Sequence, residues 1–559
     1  MKYTLLMTLL APALLAGCNL EKKEEPFQAR HIRAGYDAGQ VCQQLRQGWQ
    51  EDGIAIPASQ VSCHYLTVPL DYDKEWVQIK ETKWEKRSAA RADSSLFADN
   101  SPRFSSWSDK PVRPHVKQET RTVKGDTLDV FYLHYRASGD YRGTLFYNPG
   151  GPTSATPDLG LLLDMLRSAN PAILEHYDIV TLDPRGAGYS ALGHELRSCL
   201  LTDKQGVRPD MSPAQLAQLF ASRDKGALPA LQSGADQGKA FSTALLARCD
   251  EPLRLHAPHL GSRAVVEDME RLRQHLGRER ITPITFSYGT RLAALYAARY
   301  PSHVANLVVD SPMSPAESRY PAIFRGDAEN ANRILAWRFG DQALQRSMAV
   351  TRQVRDDGRY VDNQGNVLDR DRWEAVMSDA ISGSQRDDQL AFWLQDDAGP
   401  LLARLADQAD DNPYQELQEM PFFSAIHCTD NSEPYGWQTL DPEDAAFQGA
   451  GALLLAKSFN TCADWPYPRQ PIASYGAGEI KLPDDAKALV LGAEYDPNTP
   501  FAGARQMQAA FGSAARMVQV AQSNQHGQLN SSRCAQAALS TLLLGDGASL
   551  PAEQRCLAD

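Results

Sequence analysis

Ser287 stands in Thr285-Phe286-Ser287-Tyr288-Gly289, between an apolar, strand-like run and a helix-like run. A serine hydroxyl is a poor nucleophile until a neighbouring base removes its proton, and that base needs an acidic partner to fix its tautomer. The tetrahedral oxyanion formed by attack needs two backbone N–H donors preset where the charge develops. Residues suited to each role occur further along the chain. His526 lies in Asn524-Gln525-His526-Gly527, in a loop position just after the strand-like run Met517 to Val520. Asp496 and Glu494 are rival carboxylates in Glu494-Tyr495-Asp496-Pro497. Pro497, Thr499 and Pro500 stiffen the turn that follows and favour Asp496. Asn148-Pro149-Gly150-Gly151-Pro152 offers amide donors, with Gly151 preferred and Gly150 the alternative. Its glycines permit close backbone approach, and its prolines hold the loop rigid.

These groups need a frame. Tyr65 to Leu70, Leu128 to Tyr135, Gly143 to Tyr147, Asp178 to Leu182, Ile281 to Phe286 and Val304 to Val309 read as strands. Ala488 to Gly492 and Ala515 to Val520 continue the series. Residues 262–276 have helical periodicity, with Val265, Met269, Leu272 and Leu276 on one face, Ser262 able to cap the start and Gly277 the end. Leu292 to Tyr300 is an Ala-rich helix closed by Pro301. Strands alternating with helices predict a mostly parallel α/β sheet. Two stretches break the rhythm. Residues 76–124 are rich in Lys, Arg, Ser and Asp, with Trp84 and Trp107 isolated, and are expected to be an insertion or long surface loop. Residues 311–482 are dominated by helix-like runs carrying Trp337, Trp373, Phe392, Trp393, Phe422, Phe423, Tyr435, Trp437 and Trp465, most simply the core of a helical module.

The Ser287 pentapeptide is a near-match to the G-x-S-x-G nucleophile elbow of α/β-hydrolases, a strained strand-to-helix turn. That fold orders its triad as Ser, then Asp or Glu, then His. Of twelve histidines, His526 alone follows the last sheet strands, and Asp496 sits just beyond the preceding one. The resemblance therefore implies a Ser287-Asp496-His526 triad, with the amides of Tyr288 and Gly151 as the oxyanion hole. The loop NPGGP, then DPRGAGYS, SYGT, YDPNTP and HG, in that order, resemble the tripeptidyl-aminopeptidase and proline-iminopeptidase branch of the α/β-hydrolases. Secreted members of that branch also show a cysteine after the Asp-Arg-Gly motif, here Cys199. A C-terminal TAP-like segment ends in a cysteine pair, here Cys534 and Cys556. The stretch Ala425 to Asp430 matches a family segment too. The chain departs from the pattern at Thr285, Thr153 and Gln525, where glycine is usual. Thr285 is expected to add strain at the elbow, and Thr153 to narrow the oxyanion side of the pocket. On this reading residues 36–310 and 483–559 form the hydrolase core, and 311–482 a helical lid inserted after the Val304–Val309 strand.

The rest of the chain sets the compartment. Met1-Lys2, the apolar stretch Leu5 to Leu15 and Leu15-Ala16-Gly17-Cys18 describe a secretory signal over residues 1–17. A cysteine directly after such a site resembles a bacterial lipobox, in which Cys18 is lipidated. Asn19 in place of aspartate favours the outer membrane. The charged stretch that follows makes 18–35 a tether. Eight further cysteines in an oxidising compartment imply disulfides. Proximity in sequence suggests Cys42–Cys63, Cys199–Cys249, Cys428–Cys462 and Cys534–Cys556. None forms a CxxC pair and no histidine cluster accompanies them, so zinc is not expected, nor any cofactor. The formal charge of −12 gives no support to nucleic-acid binding.

The resemblance implies release of residues or short peptides from a free N-terminus. A carboxylate on the lid is the natural anchor for the substrate's ammonium, and Asp430 and Glu433 are the candidates, with Trp437 as an apolar wall. A membrane-anchored serine aminopeptidase acting on short peptides is the leading expectation. An esterase or lipase with the same triad is the second, and a catalytically silent binding protein with the same fold the third.

Overall fold

The computed structural model describes residues 29–54, 56–85, 115–199, 245–361, 367–382, 413–435, 441, 444–452 and 462–559. Cys18, the signal sequence, most of the tether, and Trp107, Phe392, Trp393 and Trp437 lie outside them.

Among the described residues, ten strands form one sheet. They are β1 (His31–Ile32), β2 (Val61–Pro69), β5 (Thr127–Tyr135), β6 (Gly143–Asn148), β7 (Tyr177–Leu182), β8 (Thr282–Phe286), β9 (Leu307–Asp310), β12 (Ala488–Ala493), β13 (Ala515–Ala521) and β14 (Glu553–Leu557). The order is β1-β5-β7-β6-β8-β9-β12-β13-β14, with β2 pairing antiparallel to β5. From β7 across to β14 every pairing is parallel. The order reverses at β6, which has β7 on one side and β8 on the other. In an open α/β sheet, ligands bind outside the carboxyl ends of strands at such a switch point.

The core follows from the period of two along each strand. In β12, Leu489 and Leu491 join the apolar cluster on one face of the sheet, and Ala488 and Val490 the cluster on the other. Leu145 and Tyr147 of β6 are likewise separated from Phe146. Both faces are buried, so these strands read as continuous apolar runs. Helices α1 (Ala38–Glu51), α2 (Leu159–Ala169), α3 (Ser262–His275), α4 (Gly289–Arg299), α9 (Phe501–Phe511) and α10 (Arg533–Leu544) accompany the sheet. Helix α4 begins at Gly289, three residues before the expected start. Gly277, at φ +63°, ends α3 as expected. Ser262 does not cap α3: Gly261 holds that position. The four disulfides join the pairs that sequence proximity suggested.

Between β9 and β12 the described chain is mostly helical: α5 (Tyr320–Phe339), α6 (Asp341–Asp357), α7 (Arg370–Ser382) and α8 (Pro413–Asp430), with a short antiparallel pair, β10 (Arg359–Val361) and β11 (Val367–Asp369). Trp373 is fully buried in a cluster of this region's own, with Ile334, Leu335, Phe339 and Met377. Phe422, Tyr435 and Trp465 belong instead to the cluster shared with the sheet. Trp337 stacks on Tyr495, with ring centroids 4.1 Å apart.

The arms of the 76–124 stretch are strands rather than loop. Here β3 (Trp76–Glu85) and β4 (His115–Lys124) pair antiparallel from Trp76↔Lys124 to Glu85↔His115. Their Val, Thr, Ile and Trp content suits strands, but the interleaved Lys, Arg and Glu hid the alternation. This ribbon is a compact unit of its own.

Candidate active site

Every catalytic candidate sits at the carboxyl end of a parallel strand. Ser287 follows β8 directly, Asn148 ends β6, Asp310 ends β9, Asp496 follows β12 and His526 follows β13. The sheet brings together five loops that are far apart in sequence.

Ser287 has φ +51°, the left-handed region that costs a non-glycine residue energy and marks a strained elbow. Close packing explains the small neighbours. A Cβ at position 289 would collide with the Asn148 side chain, so Gly289 is required. Thr285, by contrast, is fully buried and turns its hydroxyl sideways, donating to the Val308 carbonyl of β9 at 3.2 Å. The missing glycine before the serine is thus absorbed by the neighbouring strand. Thr290 donates to the Ser287 carbonyl at 2.6 Å and steadies the first turn of α4.

The loop after β6 lies against this elbow. A Cβ on Gly150 would stand 2.8 Å from the Phe286 carbonyl oxygen and 2.9 Å from Ser287 Cβ. The Gly150 N–H already donates to Asn148 Oδ1 at 3.0 Å. That leaves Gly151 as the loop's better candidate donor. Thr153 packs close behind it: its Cγ2 would lie 2.8 Å from a Cβ on Gly151. Downstream, fully buried Asp183 shapes the same loop, accepting from Ser154 Oγ (2.8 Å), Ala155 N (3.0 Å), Thr156 N (3.0 Å) and Thr156 Oγ1 (2.6 Å). Arg185 of the same motif is buried against Asp268, with Nε–Oδ2 2.8 Å, and donates to the Leu70 carbonyl at 2.8 Å. The DPRG segment is therefore a brace, not a reacting group.

His526 and Asp496 meet directly. Nδ1 of His526 lies 2.9 Å and 3.0 Å from the two carboxylate oxygens. Asp496 is nearly fully buried and also accepts from Asn498 N, Thr499 N and Thr499 Oγ1 at 2.9, 3.0 and 3.1 Å. Burial opposes the charged imidazolium, but the hydrogen bond to Asp496 and the charges of Asp496 and Asp310 outweigh it and raise the His526 pKa. Glu494, the rival acid, accepts instead from the Gln522 amide at 3.1 Å.

Asp310 and Ser311 carry no signal in the sequence motifs, yet they tie the loops together. The Asp310 carbonyl accepts from Ser287 N at 3.1 Å. Its carboxylate accepts from Gln528 N and Leu529 N, both at 2.8 Å, while Ser311 Oγ accepts from Gly527 N at 2.8 Å. Burial pushes the Asp310 pKa up to about 6, against the two amide bonds that favour its charged form. One residue thus positions both the elbow and the histidine loop. A carboxylate at the end of the strand after the elbow, Leu307-Val308-Val309-Asp310, was the available clue.

The two expected amine anchors fare differently from the triad candidates. Asp430 is buried, and both oxygens are engaged by Ser262: Oδ1 accepts from its N–H at 2.8 Å, and Oδ2 from its hydroxyl. Ser262 Oγ also lies 2.6 Å from Tyr288 Oη. Burial pushes Asp430 to about 6, while the Ser262 bonds and Arg291 pull it down. Asp430 therefore tethers α8 to the amino end of α3, a favourable seat for a carboxylate, and is not presented to a substrate. Glu433 is exposed. Nearby His427 is buried with both ring nitrogens unpartnered, nested among Phe423 (4.0 Å), Tyr320 (4.7 Å) and Tyr288 (6.2 Å). Burial and Arg291 push its pKa down, keeping the ring neutral. Among the described residues, no cluster of three or more His, Cys, Asp or Glu side chains could hold a metal ion.

A profile described as alpha/beta hydrolase fold matches residues 143–531. The chain is 24% identical over 417 residues to a tripeptidyl aminopeptidase of Streptomyces coelicolor, spanning 69% of this chain and 71% of that protein. It is 25% identical over 413 residues to serine protease Hip1 of Mycobacterium tuberculosis, covering 67% and 74% of the two chains. It is 27% identical over 427 residues to carboxylesterase B of the same species, covering 67% and 73%. With its parallel sheet, its strained serine turn and a profile match over most of its length, this chain belongs to the alpha/beta hydrolase fold family.

Proposed function

We propose that this chain is a serine aminopeptidase that releases short peptides from free N-termini through an acyl-enzyme. The observation that carries the reading is the bonded pair His526–Asp496, with a raised His526 pKa, joined through Asp310 to the positive-φ turn of Ser287. The similarity to a tripeptidyl aminopeptidase and to a serine protease supports peptides as substrates.

In this mechanism Ser287 Oγ attacks the scissile carbonyl while His526 Nε2 takes its proton. Asp496 fixes the tautomer through Nδ1 and stabilises the imidazolium. The N–H groups of Tyr288 and Gly151 hold the oxyanion. His526 then gives its proton to the leaving amine, and the acyl-enzyme forms. A water deprotonated by His526 attacks the ester, and Ser287 recovers its proton as the product acid departs.

One assay tests this reading. Wild type and Ser287→Ala are compared on free-amine peptide anilides, their N-blocked equivalents and acyl esters. The aminopeptidase reading expects Ser287-dependent cleavage with free-amine preference. Ester turnover with little amide cleavage would replace it with the esterase reading, and absence of any Ser287-dependent turnover with a binding protein.

The helical region 311–482 acts as the lid of this site in the same reading. Residues 1–17 are a signal sequence and Cys18 a lipid attachment point, supported by Leu15-Ala16-Gly17-Cys18, with 18–35 as tether and the outer membrane as destination. Among the described residues no helix is long and apolar enough to cross a membrane. A fatty-acid analogue is expected to label wild type and not Cys18→Ser. An unlabelled wild type would refute the anchor.

A further inference from the structure

Helix α5 links two sides of the site. At its start Tyr320 packs edge-on to His427 and face-to-face with Tyr435 at 4.8 Å, and Phe324 lies 6.1 Å from Tyr435. Further along, Asn330 Nδ2 donates to the Asp496 carbonyl at 2.7 Å, Arg333 reaches the Glu494 carbonyl, and Trp337 stacks on Tyr495. Asp327 falls between, three residues after Phe324 and three before Asn330, so it shares their stripe of the helix. It therefore sits between the aromatic nest and the acid turn.

Its carboxyl is half-buried and close enough to Asp496 for the two to repel. Among the described residues it has no hydrogen-bond or ion-pair partner. The cations of its own helix are committed elsewhere. Arg325 pairs with Glu329 and with Asp444, 2.8 Å away, on the outer side. Arg333 lies over the Tyr495 ring, and Arg338 donates to the Ala380 carbonyl. Across the site, Arg291 is buried beside Tyr320, under the influence of Asp430 and Glu317. Burial and then Asp496 push the Asp327 pKa up to about 8. A carboxyl partly withdrawn from water without a counter-charge is costly, and a cation delivered by a ligand removes that cost.

We infer that Asp327 receives the N-terminal ammonium of the substrate, an assignment that rests on the aminopeptidase reading above. The ammonium supplies the missing positive charge and donates charge-assisted hydrogen bonds to both carboxylate oxygens. On binding, the Asp327 proton passes to solvent and the carboxylate is held ionised. Phe324 lies one turn back along α5 from Asp327, and Tyr320 two turns back.

The test compares wild type, Asp327→Asn and Asp327→Glu on a tripeptide anilide with a free amine and on its N-acetyl counterpart. Thermal midpoints check folding. In wild type the free amine is preferred. In Asp327→Asn that preference falls by about 100-fold, chiefly through a higher KM. Asp327→Glu keeps the charge and retains part of the preference, which a purely structural role would not predict. Should Asp327→Asn fail to fold, Asp327→Ser, smaller and neutral, carries the same expectation. A wild type without free-amine preference overturns the aminopeptidase reading and the assignment with it. A wild type that prefers the free amine, with a folded neutral variant that keeps the preference, overturns the Asp327 assignment alone.

Discussion

The carboxyl edge of the sheet, which carries Ser287, and the helical region between β9 and β12 are built on different logic. At the sheet edge each functional group follows its strand within a few residues, and two of the loops are held by their own residues, while Asp310 ties in the histidine loop from afar. Asp496 accepts from the amides of residues 498 and 499, and Gly150 folds back on Asn148. In the helical region the decisive partners come from elsewhere in the chain. Asp430 is engaged by Ser262, 168 residues away, and Asn330 by Asp496, 166 residues away. Local motifs therefore announce the first region and say little of the second. Two carboxylates on helices of this region, Asp327 and Asp430, look alike in sequence but differ in partners: Ser262 engages Asp430, and among the described residues none engages Asp327.

The sharpest way to break this comparison is at Asp496. If the sheet edge is the reacting centre, Asp496→Asn should lower kcat by about 10⁴-fold, since the wrong His526 tautomer is then favoured. Steady-state kinetics on a free-amine anilide measure it. The residual rate carries a second readout. Asp496 raises the His526 pKa, and His526 acts as base only when neutral. Activity must therefore rise with pH through that pKa, and in Asp496→Asn the acid limb of kcat/KM should move to lower pH.

Asp310→Ala comes next. It leaves the amides of Gln528 and Leu529 buried without an acceptor, at about 1–3 kcal/mol each, and frees the histidine loop beside the elbow. Denaturant unfolding should show lower stability, and kcat should fall with it. Loss of stability alone would mean that the loop keeps its position without Asp310.

Asp430→Asn separates the two regions most directly. An amine anchor would raise KM and abolish free-amine preference. A tether between α8 and α3 should instead lower the thermal midpoint, by the equivalent of about 1–3 kcal/mol, and leave the preference in place. The smallest effect is expected at Thr285→Ser, which keeps the hydroxyl bond to Val308 and removes one buried methyl. A stability loss of about 1 kcal/mol, read by calorimetry, and an unimpaired kcat would show that the threonine serves the strand rather than the chemistry.

Much of the sheet edge was legible because its signals are local. Ser287, Asp496, His526 and the glycine loop lie where strands give way to turns, and the apolar runs before them mark the strands. Asp310 was not legible, because a carboxylate ending a strand becomes meaningful only when the loop it holds, 218 residues on, is folded against it. The β3–β4 ribbon escaped because charge on both of its faces conceals the period of two. Strand β14 escaped for a related reason: Glu553 to Leu557 is polar and half exposed, and pairs with β13 at the sheet margin.

By itself the sequence determined the alternating α/β architecture, the order of serine, acid and histidine and the unusual threonine beside the elbow, and it suggested the four cysteine pairings that the structure shows. These follow from hydrophobic period, turn chemistry and proximity along the chain. Only the tertiary structure decided which carboxylates are free. Whether Asp430 meets Ser262, and whether Asp327 is left without a partner among the described residues, depends on how helices from distant segments pack, and that packing, through desolvation and partner charge, gives the two carboxyls different roles to test.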